Sequence, residues 1–166
     1  MKNKIKHSIY LDDLRTPTTG VWIIARNYNE FINRVNEIGL ENIDTISLDH
    51  DLGDDAINEF VYNTMPNYTI NYDNISEKTG YDCAKWLVEH FYDQNPTRLD
   101  MHASYKKQTP IEFPKVLVHS ANPIGSANIM GYINNFFANE RMPQTCIRVE
   151  IDHTVESVFN TFGLAE

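Results

Sequence analysis

The chain has 166 residues, of which 42% are hydrophobic and 22% are charged, so we expect a single globular domain spanning residues 1–166. Its 14 Lys and Arg residues against 23 Asp and Glu residues give a formal net charge of −9. Such a charge argues against broad binding to duplex nucleic acid or to anionic membranes. It leaves open a local site that binds a phosphate with the help of a metal ion.

The chain contains two cysteines, Cys83 and Cys146, which are too few for a disulfide framework and are interpreted as structural thiols in a reducing compartment. The basic N-terminal segment runs directly into a predicted strand without the apolar core of a signal peptide, and no apolar run is long enough to span a membrane. We therefore predict a cytoplasmic protein. The sequence leaves the oligomeric state open and is compatible with a homo-oligomer.

Strands and helices are predicted to alternate along the chain. In chain order, the predicted elements are strand 8–13, strand 21–25, helix 27–39, strand 44–49, helix 80–93, strand 115–120, helix 125–140, strand 146–151 and helix 155–163. Asn27, with Glu30 three residues later, predicts the start of the first helix, and Gly39 predicts its end. Two polar segments, 54–79 and 94–113, interrupt the alternation and are interpreted as insertions that form hairpins or lids.

Strands separated by helices imply right-handed crossovers, and therefore a doubly wound, mainly parallel sheet with helices on both faces. Three of the predicted strands end in polar residues, and these ends are Asp12-Asp13, Asp49-His50-Asp51 and His119-Ser120. Ligands of such sheets bind beyond the carboxyl ends of the strands. The polar strand ends are therefore the first candidates for a functional site.

Four acidic residues are candidate metal ligands: Asp12, Asp13, Asp49 and Asp51. Each one alone is also explained as a turn or cap residue of a strand-to-helix loop. Two acidic clusters at the same end of two candidate inner strands favour a shared pocket, because carboxylates that close together repel one another unless a cation lies among them. Mg²⁺ or Mn²⁺, which prefer carboxylate and water ligands, is the predicted cofactor.

Two histidines, His50 and His119, directly follow the last apolar residues of predicted central strands. Together with Asp49 they are the candidate catalytic residues, since two imidazoles near one phosphate can act as acid and base at neutral pH. Metal ligation or a structural hydrogen bond is the alternative for each ring. The remaining histidines are interpreted as structural residues, and they are His7, His90, His102 and His153.

The segment 119–132 and one arginine supply the candidate substrate-binding residues: Arg15, Ser120, Asn122, Ser126 and Asn128. Ser120 can donate a hydrogen bond to an anionic oxygen, and a helix that begins near Ser126 directs free backbone N–H groups at the same space. A purely structural role is the alternative for several of these candidate substrate-binding residues. Asn122 then forms a turn, Ser126 caps the helix, and Arg15 is a surface residue.

Four segments together carry a resemblance to a known family: "YLDDLRTP", "SLDHDLG", "TGYDCAKWL" and "VHSANPIGSANIMGYI". In this order, from residue 8 to residue 137, they resemble the cyclic-phosphate-processing receiver-like domain family, which is similar in fold to response-regulator receiver domains. The resemblance implies a receiver-like (flavodoxin-like) five-stranded sheet in the order 2-1-3-4-5. It also implies that Asp12, Asp13 and Asp49 form an acidic metal pocket, with Ser120 beside the phosphoryl group.

The chain departs from signalling receivers in its last strand, because "IRVEIDHT" has no lysine to respond to a phosphorylated aspartate. His50, Asp51 and His119 are further departures. They favour metal-assisted hydrolysis or processing of a cyclic phosphate, on a nucleotide or on an RNA end, so the predicted partner is a small phosphate ester or nucleotide. The alternatives are a non-enzymatic receiver that binds a nucleotide or a protein, and a phosphoacceptor receiver that uses Asp49.

Overall fold

The structure, a computed structural model, describes residues 6–95, 111–139 and 149–151. Several predicted features lie outside the described residues: the helix 155–163, Cys146, His102, His153 and most of the insertion 94–113. Within the described helices, none is both long enough and apolar enough to cross a membrane.

Four parallel strands form the body of the sheet in the order β2-β1-β3-β4. Their bounds are β1 (His7–Leu11), β2 (Ile23–Ala25), β3 (Ile43–Leu48) and β4 (Lys115–Val118). A three-residue strand, β5 (Val149–Ile151), pairs in parallel with β4. The predicted parallel α/β architecture and the predicted order of these first four strands are confirmed.

The described part of the chain contains five α-helices: α1 (Tyr28–Ile38), α2 (Asp54–Glu59), α3 (Met65–Asn67), α4 (Gly80–Gln94) and α5 (Pro123–Asn139). The predicted insertion 54–79 is largely helical and contains no strand. Helix α2 continues through a π-helical turn, Phe60–Thr64, into α3, and a 3₁₀ turn, Tyr72–Asn74, precedes α4.

The two ends of α1 are where the sequence predicts them. The Asn27 side chain accepts the backbone N–H of Glu30 at 3.0 Å, and Gly39 ends the helix with a φ of 79°, which glycine adopts at little cost. The start of α5 was predicted too late. Asn122 caps this helix by accepting the Gly125 N–H at 2.9 Å, and Pro123 is its first residue, where the missing N–H of proline costs nothing.

The hydrophobic core lies between one face of the sheet and helices α1, α4 and α5. Side chains alternate along a strand, so the fully buried strand residues face this core together: Ile9, Leu11, Ile46, Leu48, Val116 and Val118. The helices pack against them with residues such as Phe31, Leu87 and Ile133. The opposite face carries Tyr10, Ser47 and Leu117, which lie opposite one another in register.

Candidate functional site

Three polar side chains meet at the carboxyl edge of the sheet because strands β1, β3 and β4 end in register. The backbone ladder continues one residue past each strand: Asp49 N–H donates to the Leu11 carbonyl at 2.9 Å, and His119 N–H donates to the Leu48 carbonyl at 3.0 Å. The residues after the strands, Asp12, Asp49 and His119, therefore stand side by side. All three are buried, and one potential ligand atom from each lies within 4.8 Å of the others. We call them the triplet.

Arg15 supplies the positive charge that the acidic strand ends require. Its Nε donates to Asp12 Oδ2 and its Nη2 donates to Asp49 Oδ2, both at 2.6 Å. The backbone N–H groups of Leu14 and Arg15 also donate to Asp12 Oδ1. The sequence predicted Arg15 as a ligand of phosphate. In the structure its guanidinium bridges the two carboxylates, with 26% of its side chain exposed.

The two carboxyl groups of the triplet have opposite pKa shifts. Burial acts to raise the pKa of Asp12, but hydrogen bonds from His119 and from the Arg15 backbone, with the charge of Arg15, lower it to about 2. Burial raises the pKa of Asp49 against the opposing charge of Arg15 and a hydrogen bond from Ser120. Asp12 is therefore a fixed anion at neutral pH, and Asp49 is the carboxylate that more readily takes a proton.

The partners of His119 determine which ring nitrogen carries a proton. Its Nε2 lies 3.2 Å from Asp12 Oδ2 and its Nδ1 lies 2.7 Å from Ser47 Oγ. An ionised carboxylate only accepts hydrogen bonds, so Nε2 carries a proton and donates it to Asp12. In the neutral ring, Ser47 then donates to Nδ1. The ring also stacks on Tyr10, with centroids 4.2 Å apart. His119 thus presents an oriented N–H donor to the pocket.

The chemistry of the triplet fits a divalent cation. Two carboxylates and an imidazole are ligands that Mn²⁺ accepts, and Mg²⁺ binds the carboxylates with water. Asp13, next to Asp12, is half-buried, and its pKa is raised by burial and by the charge of Asp12. Asp13 is close enough to feel the charge of Arg15, so three carboxylates share one guanidinium and negative charge is in excess, but Asp13 is not part of the triplet. Both Oδ2 atoms already accept from Arg15, so a cation there requires Arg15 to leave at least one carboxylate.

His50 belongs to a different cluster. Its Nδ1 lies 2.6 Å from Asp51 Oδ1, and its Nε2 lies 3.1 Å from the Tyr72 hydroxyl. Asn122 donates to the same Asp51 oxygen at 3.2 Å, and Asn128 donates to the Tyr72 hydroxyl at 3.0 Å. Since burial raises the pKa of Tyr72 to about 12, that hydroxyl keeps its proton and donates it to Nε2, and Nδ1–H donates to Asp51. Both nitrogens of this fully buried ring are engaged.

The predicted acid–base pair requires the rings of His50 and His119 to lie together. The structure places them in separate clusters. His119 stacks on Tyr10, on the sheet face opposite the core. The ring of His50 packs against Gly125 of α5, where an added Cβ would lie 2.3 Å from His50 Cγ. Adjacent residues of a strand point to opposite faces, so His50 points away from Asp49. Asp51, a predicted metal ligand, hydrogen-bonds to His50 and is not part of the triplet.

The predicted substrate-binding residues are divided between the two clusters. Ser120 lies beside Asp49, and its Oγ accepts the Asn122 N–H at 3.2 Å. Asn122 and Asn128 belong to the His50 cluster. Ser126 is buried in the first turn of α5, and its N–H donates to the Asn122 carbonyl at 2.9 Å. Because Asn122 also takes the Gly125 N–H, the helix end has fewer free donors than we predicted.

Four residues of the site were not predicted: Tyr10, Ser47, Tyr72 and Arg26. Ser47 is a buried hydroxyl between the buried residues Ile46 and Leu48 of β3, and this alternation was the available signal. Arg26 donates to the carbonyl oxygens of Asp12 and Arg15 and so holds the loop that carries Arg15. Tyr72 lies in the polar insertion, where the sequence has no pattern that indicates a contact with His50.

The family of the chain follows from comparison with family models. Residues 7–135 match the model described as the cyclic-phosphate processing receiver domain. The chain belongs to this family. Comparison with curated proteins and with solved structures gave no significant match. This is the family that the sequence segments resemble. The matched residues include the whole triplet, Arg15 and the His50 cluster.

Proposed function

We propose that the protein hydrolyses cyclic phosphate esters at the triplet, with a divalent cation and with a small phosphate ester or nucleotide as substrate. The observation that carries this proposal is the meeting of an ionised carboxylate, a carboxylate with a raised pKa and an oriented imidazole N–H beside one guanidinium. Family membership adds the substrate class, since the family description names cyclic-phosphate processing.

Arg15 and Ser120 are the residues that bind the phosphate in this scheme. A guanidinium offers paired donors that match phosphate oxygens, and Arg15 is free to offer them when a cation takes over its role between Asp12 and Asp49. The partial exposure of Arg15 leaves its side chain room to turn. Ser120, beside Asp49, adds a hydroxyl donor.

Asp49 and His119 carry the proton transfers. Asp49, whose pKa is raised by burial, takes a proton from the attacking water as its oxygen bonds to phosphorus. In its doubly protonated form, in which Nδ1–H donates to Ser47 Oγ, His119 gives its Nε2 proton to the ester oxygen as the bond from phosphorus to that oxygen breaks, and it is left as the neutral ring. The product is an acyclic phosphate monoester with a free hydroxyl group. Ser47, at Nδ1, and the stacked ring of Tyr10 keep the His119 ring oriented while the Nε2 proton is transferred.

Asp12 and Asp49 would hold the divalent cation, with His119 within reach of the same position. When bound, such an ion polarises a phosphoryl oxygen and lowers the pKa of a coordinated water. The ring of His119 cannot both ligate through Nε2 and donate from it. We therefore assign the cation to the carboxylates and the proton to His119.

A second function, binding without hydrolysis, is supported by one observation. Arg15 pairs with both Asp12 and Asp49, and its side chain is still 26% exposed, so its guanidinium can meet a phosphate from the solvent side without a cation. Such a module binds a phosphate ester through Arg15 and Ser120 and releases it unchanged.

The test is ring opening followed by phosphorus NMR, with nucleoside 2′,3′- and 3′,5′-cyclic phosphates incubated with Mg²⁺, with Mn²⁺ or with EDTA. We expect conversion of at least one substrate to the monoester, dependent on the cation. Asp49→Asn should abolish conversion. Asp44→Asn, an exposed position on the same strand, is the matched control and should retain it. Binding of substrate without conversion under every condition would support the binding module instead.

A further inference from the structure

A groove between α4 and α5 opens next to the site and has no assigned role. It has a volume of about 430 Å³ and is lined by Tyr81, Ala127, Asn128, Gly131, Tyr132, Asn135 and Phe136. This volume falls within the range of about 300–1,000 Å³ that is usual for small-molecule sites. We infer that the groove binds the base of a nucleotide whose phosphate lies at the triplet, an inference that rests on the proposed function.

The position of the groove connects it to the site. Tyr81 is the second residue of α4, and Asn128 lies in the second turn of α5, so the groove begins at the carboxyl edge of the sheet. Asn128 donates to Tyr72, whose hydroxyl meets His50. The residue before His50 is Asp49 of the triplet. The groove thus borders the His50 cluster, and a ligand held at the triplet would reach it by crossing the carboxyl edge of the sheet and the first turn of α5.

Three aromatic rings line the groove, those of Tyr81, Tyr132 and Phe136. Phe136 packs edge-on with Tyr92 and Phe137, and we assign Tyr132 as the platform for stacking. Tyr72 stacks on Tyr81 with centroids 5.3 Å apart, and Lys85 Nζ lies 4.7 Å from the centre of the same ring. Tyr81 is thus engaged by its own neighbours. Tyr132 meets Tyr81 nearly at a right angle, 87°, which braces the Tyr132 ring. Stacking on an aromatic side chain is the common mode of base binding and accepts any base.

Gly131 indicates that the groove is kept open. A glycine inside a helix costs about 1 kcal/mol relative to alanine, and packing usually explains it, as at Gly125. At Gly131 an added Cβ would meet nothing within 4 Å, so the surrounding protein does not require the glycine. A side chain there would instead fill the space beside Tyr132. Asn128 and the exposed Asn135 flank this space with amide groups, which can bond to the edge of a base.

Binding is tested with adenosine, adenosine 2′,3′-cyclic phosphate and the base-free glycerol 1,2-cyclic phosphate, by calorimetry and by chemical-shift mapping. We expect Gly131→Val and Tyr132→Ala to weaken binding of both adenosine compounds roughly tenfold or more. Tyr132→Phe, which retains the ring, should bind them as the wild type does. Asn134→Val, exposed on the same helix and outside the groove lining, is the control for introducing valine.

The outcomes separate this inference from the proposed function. Adenosine binding that is lost in Gly131→Val supports the base site, even where no cyclic phosphate is hydrolysed. Equal affinity for the adenosine and glycerol compounds, unchanged by Gly131→Val, overturns the base site while hydrolysis stands. A change in sedimentation alone upon Gly131→Val would also overturn it, because the groove would then be a contact between copies of the chain.

Discussion

Replacing Arg15 with glutamine should destabilise the protein in a way that depends on pH. Removing one partner of a buried ion pair costs about 3–5 kcal/mol, whereas exposed pairs contribute about 0–1 kcal/mol. The Arg15 side chain is 26% exposed, and those of Asp12 and Asp49 are 0% and 7% exposed, so the case is intermediate. We expect the free energy of unfolding at pH 7 to fall by about 2–3 kcal/mol, which lowers the melting temperature by about 5–10 °C in a domain of this size.

The deficit of Arg15→Gln should shrink as the pH falls. A carboxyl group whose pKa is raised by folding lowers stability above that pKa, and the penalty disappears as the pH approaches the value in the unfolded chain. The pKa of Asp49 is already raised, and loss of the guanidinium raises it further. The variant therefore loses most stability at pH 7 to 8 and approaches the wild type toward pH 4, as chemical denaturation at a series of pH values will show.

Arg34→Gln is the matched control, because Arg34 pairs with Glu37 at 3.1 Å on the surface of α1. It should change stability by less than about 0.5 kcal/mol at any pH. Magnesium provides a second arm of the experiment. A cation that binds between Asp12 and Asp49 should raise the melting temperature of Arg15→Gln more than that of the wild type. Equal stability of Arg15→Gln and wild type at pH 7 would refute the ion pair, and equal gains with magnesium would refute that position for the cation.

Three further predictions concern the site and the core. His119→Ala should lower the rate of cyclic-phosphate hydrolysis roughly a hundredfold or more. His50→Ala should chiefly lower the unfolding free energy, by about 3 kcal/mol, because Asp51 and Tyr72 lose a buried partner. Comparable rate losses in stably folded forms of both variants would contradict this division. Incubation with acetyl phosphate and Mg²⁺ should leave Asp49 unmodified, because Arg15 and His119 occupy its surroundings and "IRVEIDHT" has no lysine; a stoichiometric mass increase on Asp49 would argue for the phosphoacceptor alternative. Cys83, whose thiol pKa is raised by burial, should resist iodoacetamide until the protein unfolds, and peptide mass spectrometry that finds rapid alkylation of Cys83 in the native protein would show the core to be open.

Much of the site could be predicted from the polar residues that follow apolar strands in the sequence. The rest depended on the directions in which side chains point, which that pattern does not show. Asp12, Asp49 and His119 each follow the last buried residue of a strand, and that rule is visible in the sequence. His50 follows Asp49 by one residue, and a shift of one residue in a strand changes the face to which a side chain points. The prediction grouped His50 with His119 because both lie at the ends of predicted central strands, and it did not apply this alternation.

The role of Arg15 was partly predictable. Its proximity to Asp12 in sequence suggested a shared site, but the bridge to Asp49 depends on the turn that brings its guanidinium back over the sheet edge. Tyr72 was not predictable, because it reaches His50 from an insertion whose polar composition resembles any surface loop. The early start of α5 was readable, since Asn122 followed by Pro123 is a recognised start of a helix.

The backbone hydrogen bonds of the triplet residues order the site before a ligand binds. The amides of Asp12, Asp49 and His119 donate to carbonyl groups of the neighbouring strands, so the backbone of the site is ordered when the sheet forms. Ordering a backbone costs about 1–2 kcal/mol per residue, and here that loss accompanies folding and does not weaken binding. Hydrogen exchange at these three amides should therefore require opening of the whole sheet, in contrast to sites on loops that open locally. A core substitution far from the site will leave affinity for a ligand unchanged until it lowers the stability of the sheet itself.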